Sequence, residues 1–170
     1  RAYEDAPQRI GSGQTSSQPS SHAKYWEILA FKGAERVHEI GTGSGYQTVL
    51  LSHLVAQVFT IERIPALFAA SREAINKAGA SNVSMLLGDG TVGWREYAPY
   101  DAILVGAGGP TIPQALVEQL ADGGRMLVPV GSREEQTLTL VTKRGSDVQL
   151  KEIAPVRFVP LFGMQGWEQQ

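Results

Sequence analysis

The stretch from Val37 to Tyr46, V-H-E-I-G-T-G-S-G-Y, constrains this chain more than any other. A short apolar run meets an acidic residue and then three alternating glycines. Glycine lets backbone turn sharply and lets a ligand approach without side-chain interference. The pattern predicts a strand from Arg36 to Ile40, a glycine turn, and a helix whose apolar positions are Tyr46, Val49, Leu50, His53 and Leu54.

Two further β-α units follow the same plan. Gln57 to Ile61 reads as a strand ending at Glu62. Pro65 opens a helix with Leu67, Ala70, Ser71, Ala74, Ile75 and Ala78 in period, and Gly79 stops it. Val83 to Leu87 is a third strand, closed by Gly88-Asp89-Gly90 and a weak helical segment before Pro99. Asp101 to Val105 is a fourth strand with a glycine-rich exit, leading to a helix from Pro113 to Gly123-Gly124 and a fifth strand from Arg125 to Val130. This alternation predicts an α/β fold, a doubly wound parallel sheet with helices on both faces. Thr137 to Thr142, Val148 to Ile153 and Val156 to Leu161 read as antiparallel strands at one edge. Ahead of the first strand, residues 1 to 20 read as loop, and Ser20 or Ser21 caps a helix to Phe31, ended by Gly33, with Tyr25, Ile28 and Leu29 on one face.

At 170 residues, 42% hydrophobic and 19% charged, the chain is one globular domain. Fifteen basic and seventeen acidic residues give a net charge of -2, which disfavours nucleic acid or an anionic membrane as partner. The chain has no cysteine, which excludes disulfides and thiolate chemistry and suits a cytoplasmic location. Its three histidines show no metal-ligand spacing, so no metal is expected, and His38 and His53 are read as structural. A monomer is expected.

The glycines select among ligands. A dinucleotide site wants G-x-G-x-x-G, but Tyr46 occupies the place of its third glycine, and no Lys-Ser or Lys-Thr follows for a nucleotide phosphate. An adenosyl ligand with an amino-acid tail needs the open turn without a pyrophosphate cradle. Acidic residues at the ends of three successive strands support it: Glu39, Glu62 and Asp89 should meet at the C-terminal crevice of the sheet. Glu62 can accept both ribose hydroxyls, Asp89 an adenine amino proton, and Glu39 can stand near an ammonium. Taken singly, each is better read as a helix cap or a solvated strand end; three in register with the glycine turn favour the ligand.

At this point the chain resembles a known family. EIGTGSGYQT, TIERI, GDG, PYDAILVGAGGPTIPQALVEQLADGGRMLVPVG and VRFVPL are similar to successive motifs of the protein-L-isoaspartate (D-aspartate) O-methyltransferases, and GSGQTSSQP resembles their substrate loop. The resemblance runs from about Ile10 to Leu161. It implies a Rossmann-like class I methyltransferase over residues 1–170, with S-adenosylmethionine as cofactor, S-adenosylhomocysteine as product, and isoaspartyl-containing proteins or peptides as acceptors. Bacterial members carry a helical segment ahead of the region beginning here at Arg1, and the sequence is read without it.

The resemblance also implies roles. Cofactor contacts fall on Gly41, Thr42, Gly43, Ser44 and Gly45, on Glu39, on Glu62 and Arg63, and on Asp89 and Gly90; Gly11, Ser12, Gly13 and Gln14 lie over the cofactor. His22 matches a position that touches it in some members, though it reads equally as a polar residue of a first helical turn. Ser17 is the catalytic residue, donating a hydrogen bond to the acceptor carboxylate, with Thr15 beside it. Arg157, Phe158, Val159 and Pro160 form the acceptor wall through Leu161. The family loop carries Ile where Ser16 stands, and a bulky residue then Met where Ser20 and Ser21 stand, so apolar packing there is reduced. Three other readings stay in play: a methyltransferase for another peptide carboxylate, a cofactor-binding module without turnover, and a dinucleotide oxidoreductase.

Overall fold

The computed structural model describes residues 8–11, 14–16 and 19–169, with side chains from residue 23 onward. Seven strands form the central sheet: β3 (Arg36–Ile40), β4 (Gln57–Glu62), β5 (Val83–Leu87), β6 (Tyr100–Val105), β7 (Leu120–Gly131), β8 (Gln136–Arg144) and β9 (Asp147–Val156). Their order is β5-β4-β3-β6-β7-β8-β9. The β5 to β7 portion is parallel, whereas β8 and β9 are antiparallel additions. The order reverses between β3 and β6, and such a switch point opens a crevice beyond the carboxyl ends of the strands.

The central strands are buried on both faces because helices cover both. On β3, Val37 faces a core with Leu29, Leu51, Val58, Leu104 and Leu127, while Ile40 faces another with Phe59, Ile61, Ile103, Val105, Leu116 and Met126. That division follows from the period of two along a strand. Four helices, α1 (Pro19–Leu29), α2 (Tyr46–Ser52), α3 (Pro65–Lys77) and α4 (Gln114–Glu118), supply the layers.

Several sequence expectations are corrected. Residues 8–16 are not all loop, because β1 (Gln8–Gly11) and β2 (Gln14–Ser16) pair as an antiparallel hairpin. Helix α1 ends at Leu29 rather than Phe31, with Ala30 at φ +52, and Arg125 donates to the Leu29 carbonyl (Nε, 2.7 Å) from the far strand. Helix α2 turns a different face inward: Thr48 and Leu51 are buried, and His53 and Leu54 are exposed. The reason is polar, since Thr48 is bonded to Glu39 beneath it. Helix α3 buries Leu67, Ser71 and Ile75, while Ala70, Ala74 and Ala78 face solvent. Helix α4 stops at Glu118, and two 3-10 turns, Gly90–Val92 and Arg95–Tyr97, replace the weak helix before Pro99.

Val156 to Leu161 does not form a strand of the edge hairpin. Its backbone instead leaves β9 and pairs in parallel with the exit of β6: Gly108 N–H donates to Val159 O (2.8 Å), and Leu161 N–H to Gly108 O (2.9 Å). This detour returns the chain end to the crevice.

Candidate active site

Gly41, Gly43 and Gly45 all take positive φ, +93, +59 and +83, which side chains disfavour. A Cβ on Gly45 would stand 3.2 Å from Ile75 Cγ1, so this glycine lets the turn lie against α3. A Cβ on Gly41 would meet nothing within 4 Å, because Gly41 opens into the cleft. The floor is as tight as the turn is open: a Cβ on Gly90 would come within 2.4 Å of Ile40 Cγ2.

The cleft is lined by Gly41, Gly43, Glu62, Arg63, Gly90 and Gly106, with Ile61, Ile64, Leu67, Val159, Pro160, Leu161 and Phe162 supplying apolar surface. Glu62 is the acidic residue that lines it. Its Oε1 accepts the Gly43 N–H at 2.9 Å and its Oε2 the Ile64 N–H at 3.0 Å. A carboxylate has about four acceptor positions, so each oxygen keeps one for a further donor. This donor-seeking edge matches a vicinal diol, and the chemistry of the residues fits an adenosyl ligand.

Glu39, expected near a ligand ammonium, does not line the cleft wall. It is 1% exposed beneath the turn, accepting from Thr48 Oγ1, Thr60 Oγ1 (2.7 Å) and Gln47 Nε2 (2.7 Å). Burial pushes its carboxyl above the usual range, while those three donors pull it back. Thr60 spends its one proton on Glu39, so Thr42 must donate in the Thr42–Thr60 contact of 2.6 Å. The relay ties the turn to β4. None of Thr48, Thr60 or Gln47 was singled out from the sequence, although a threonine inside Val58-Phe59-Thr60-Ile61 was a visible signal.

Asp89 stands beside the cleft wall. It faces a neighbouring open hollow with Gly88, Gly163 and Trp167, and Arg63 and Phe162 stand on the boundary between that hollow and the cleft. Asp89 Oδ1 accepts from Thr91 N–H (2.9 Å) and Thr91 Oγ1 (2.7 Å), and Oδ2 from Met164 N–H (2.8 Å). Thr42 is buried and Ser44 half-buried; Ser44 Oγ accepts the Tyr46 N–H at 3.3 Å.

On the acceptor side, Val159, Pro160 and Leu161 line the cleft, whereas Arg157 is exposed and the Phe158 ring lies 6.2 Å from that of Tyr25. Gly11 belongs to β1, and Gln14 and Thr15 to β2. Ser12, Gly13 and Ser17 lie outside the described residues, as do the side chains of Gln14, Thr15 and His22. Among the described residues no three His, Cys, Asp or Glu side chains group as metal ligands, and no helix is long and apolar enough to cross a membrane.

His38 is fully buried on β3. Its Nδ1 donates to Phe59 O (2.6 Å), its ring stacks on Tyr100 (4.8 Å), and Nε2 has no partner among the described residues. Burial holds its pKa down at about 4.

A β5-β4-β3-β6-β7 parallel sheet with two antiparallel strands added at one edge, a G-x-G-x-G turn after β3 and a cleft-lining glutamate at the end of β4 define a class I S-adenosylmethionine-dependent methyltransferase. The family described as protein-L-isoaspartate (D-aspartate) O-methyltransferase matches residues 1–166, and the chain belongs to it. A protein-L-isoaspartate O-methyltransferase of Desulfotalea psychrophila is 49% identical over 99% of this chain and 78% of its own length. A solved protein-L-isoaspartate O-methyltransferase superposes with a TM-score of 0.88 at 30% identity, covering 96% of this chain and 55% of that one. A candidate member from Plasmodium falciparum, solved with S-adenosyl-L-homocysteine, gives 0.80 at 27% identity, covering 94% and 81%. The cofactor is S-adenosylmethionine, and the activity is methyl transfer to the isoaspartyl carboxylate, the first step of protein repair.

Proposed function

We propose how the residues divide this reaction. Glu62 receives the ribose hydroxyls, with Arg63 beside it, and Asp89 and Gly90 take the adenine end. The backbone of Gly41 to Gly45, with Thr42 and Ser44, faces the amino-acid tail. Gly11 to Gln14 and His22 cover the cofactor. Ser17, assisted by Thr15, meets the acceptor carboxylate opposite the Arg157 to Pro160 wall. Glu39 acts from beneath, as the anchor of the turn.

The observation that carries this reading is Glu62: one backbone N–H on each oxygen and one acceptor position left on each, at the cleft wall beside the glycine turn. When bound, the cofactor supplies a methyl group activated by a sulfonium charge. The acceptor needs no general base, because a carboxyl with a pKa of about 4 is already ionised at neutral pH. What the chain must do is hold that carboxylate in line and keep water away. Val159, Pro160, Leu161 and Phe162 supply the apolar wall for the second task.

Labelled S-adenosylmethionine offered with paired isoaspartyl and aspartyl peptides tests the acceptor, and label on the isoaspartyl peptide alone is expected. Equal labelling would reject it. Ser17→Ala should lower turnover more than cofactor affinity, and Asp89→Ala the reverse; the opposite pattern would reject these roles. A monomeric, cytoplasmic enzyme completes the reading, and light scattering after gel filtration checks its oligomeric state.

A further inference from the structure

We infer that the Phe162–Trp167 loop is a positioning element of the cofactor site, which aims the Asp89 carboxylate and thereby sets selectivity for an adenine amino group. The inference rests on the proposed role of Asp89 at the adenine end. It concerns residues beyond the acceptor wall, in a stretch where no role was expected.

The loop closes on itself. Trp167 N–H donates to Leu161 O (2.8 Å), Gly163 N–H to Trp167 O (3.2 Å) and Gly166 N–H to Gly163 O (3.1 Å). It is then fastened at four places, to Asp89, Thr91, Ala115 and Gly108. Met164 N–H donates to Asp89 Oδ2 (2.8 Å), Gln165 N–H to Thr91 Oγ1 (3.0 Å), Ala115 N–H to Gln165 Oε1 (3.0 Å), and Trp167 Nε1 to Gly108 O (3.1 Å). Cation-π contacts flank it: Arg63 stands 4.8 Å from the Phe162 ring, and Arg133 lies 5.6 Å from Phe162 and 5.1 Å from Trp167.

Counting acceptor positions shows what this does to Asp89. Oδ1 takes two donors, both from Thr91, and Oδ2 takes one from Met164. One position of about four remains, on Oδ2. The Thr91 hydroxyl, which donates to Asp89, is itself held by Gln165 N–H, so the loop fixes that bond as well. A carboxylate with a single open acceptor position suits one N–H of an exocyclic amine and not a ring carbonyl. Close backbone approach is built in: a Cβ on Gly163 would lie 2.1 Å from Asp89 Oδ1, at φ +153, and one on Gly166 would lie 2.3 Å from Leu161 O. Only glycine leaves Asp89 where it is.

The test compares binding of S-adenosylhomocysteine with S-inosylhomocysteine, in which the amino group is replaced by a carbonyl oxygen. Calorimetry is run on the full chain as wild type, Gly163→Ala and Trp167→Phe. The wild type should prefer the adenosyl compound by about 10- to 100-fold, the worth of a hydrogen bond to a charged group. In Gly163→Ala that ratio should collapse to within about 3-fold, through loss of adenosyl affinity with inosyl affinity nearly unchanged. Trp167→Phe keeps the ring by Arg133 but removes the Gly108 tether, and should reduce the ratio at least 3-fold. If Gly163→Ala does not fold, Trp167→Phe decides. A wild type without preference would refute the Asp89 role itself. A wild type with preference, retained in the variants or lost in parallel for both ligands, would refute the loop's role alone.

Discussion

Mild acid should cost this protein stability through His38. The ring is fully buried, Nδ1 is committed to Phe59 O, and a proton added at Nε2 would meet no acceptor among the described residues. Its pKa accordingly falls from 6.5 to about 4. The folded value is the depressed one, so the unfolded chain binds the proton first as pH drops. Stability is whole above pH 6.5, declines from there, and levels off below about 4. At about 1.4 kcal/mol per pH unit the full loss is ~3 kcal/mol, of which ~2 kcal/mol has gone by about pH 5. Glu39, with its raised value, works oppositely, gaining protons in the native state as pH falls. The wild-type profile alone therefore understates His38. Subtraction removes that interference: His38→Phe keeps a ring against Tyr100 and forfeits one hydrogen bond, worth ~1 kcal/mol at any pH. Urea unfolding of both proteins from pH 7.5 to pH 5 should show the stability difference, wild type minus variant, falling by ~2 kcal/mol, so that an advantage of ~1 kcal/mol becomes a deficit of similar size. A difference constant within about 0.5 kcal/mol would refute the reasoning, because it would mean the imidazole is either hydrated or already partnered at Nε2.

Three further outcomes are expected. Thr60→Val strands the Thr42 hydroxyl and takes one donor from Glu39, costing ~1–3 kcal/mol in urea unfolding and raising KM for S-adenosylmethionine, while Thr60→Ser restores both. A valine variant with unchanged KM would remove the relay from the account of the turn. Glu62→Gln leaves one oxygen to serve Gly43 and Ile64, so calorimetry should show cofactor affinity falling about 10- to 100-fold with kcat much less affected. Gly90→Ala drives a methyl to 2.4 Å from the β-branched Ile40 side chain, and denaturant melts should record a loss of ~1–3 kcal/mol.

Much of the site was legible in local chemistry. The short run Val37 to Ile40 and the three glycines after it point to a strand and a positive-φ turn, and β3 and the turn formed there. Glu62 was legible because it ends a strand at the same height as the turn. That Glu39 lies beneath the cleft wall and Asp89 beside it was not legible. Glu39 is followed by a turn that folds over it, and its height in the sheet does not reveal that Thr48 and Thr60 will enclose it. Asp89 meets a loop 75 residues further along the chain. Helix α2 shows the same limit, since its apolar period pointed to His53 and Leu54 while a polar bond selected the Thr48 face.

The sequence by itself determined the parallel strands, the glycine turn and the class of ligand. These follow from period, glycine placement and the residues that end strands, all of which act within a few residues of chain. Only the tertiary structure decided which carboxylates line the cleft and which support it. It also decided that the chain end, after leaving β9, returns past Gly108 to fasten on Asp89. Hydrogen-bond capacity is the reason: a carboxylate is available to a ligand only through the acceptor positions its distant neighbours leave open, and those neighbours meet it through the fold.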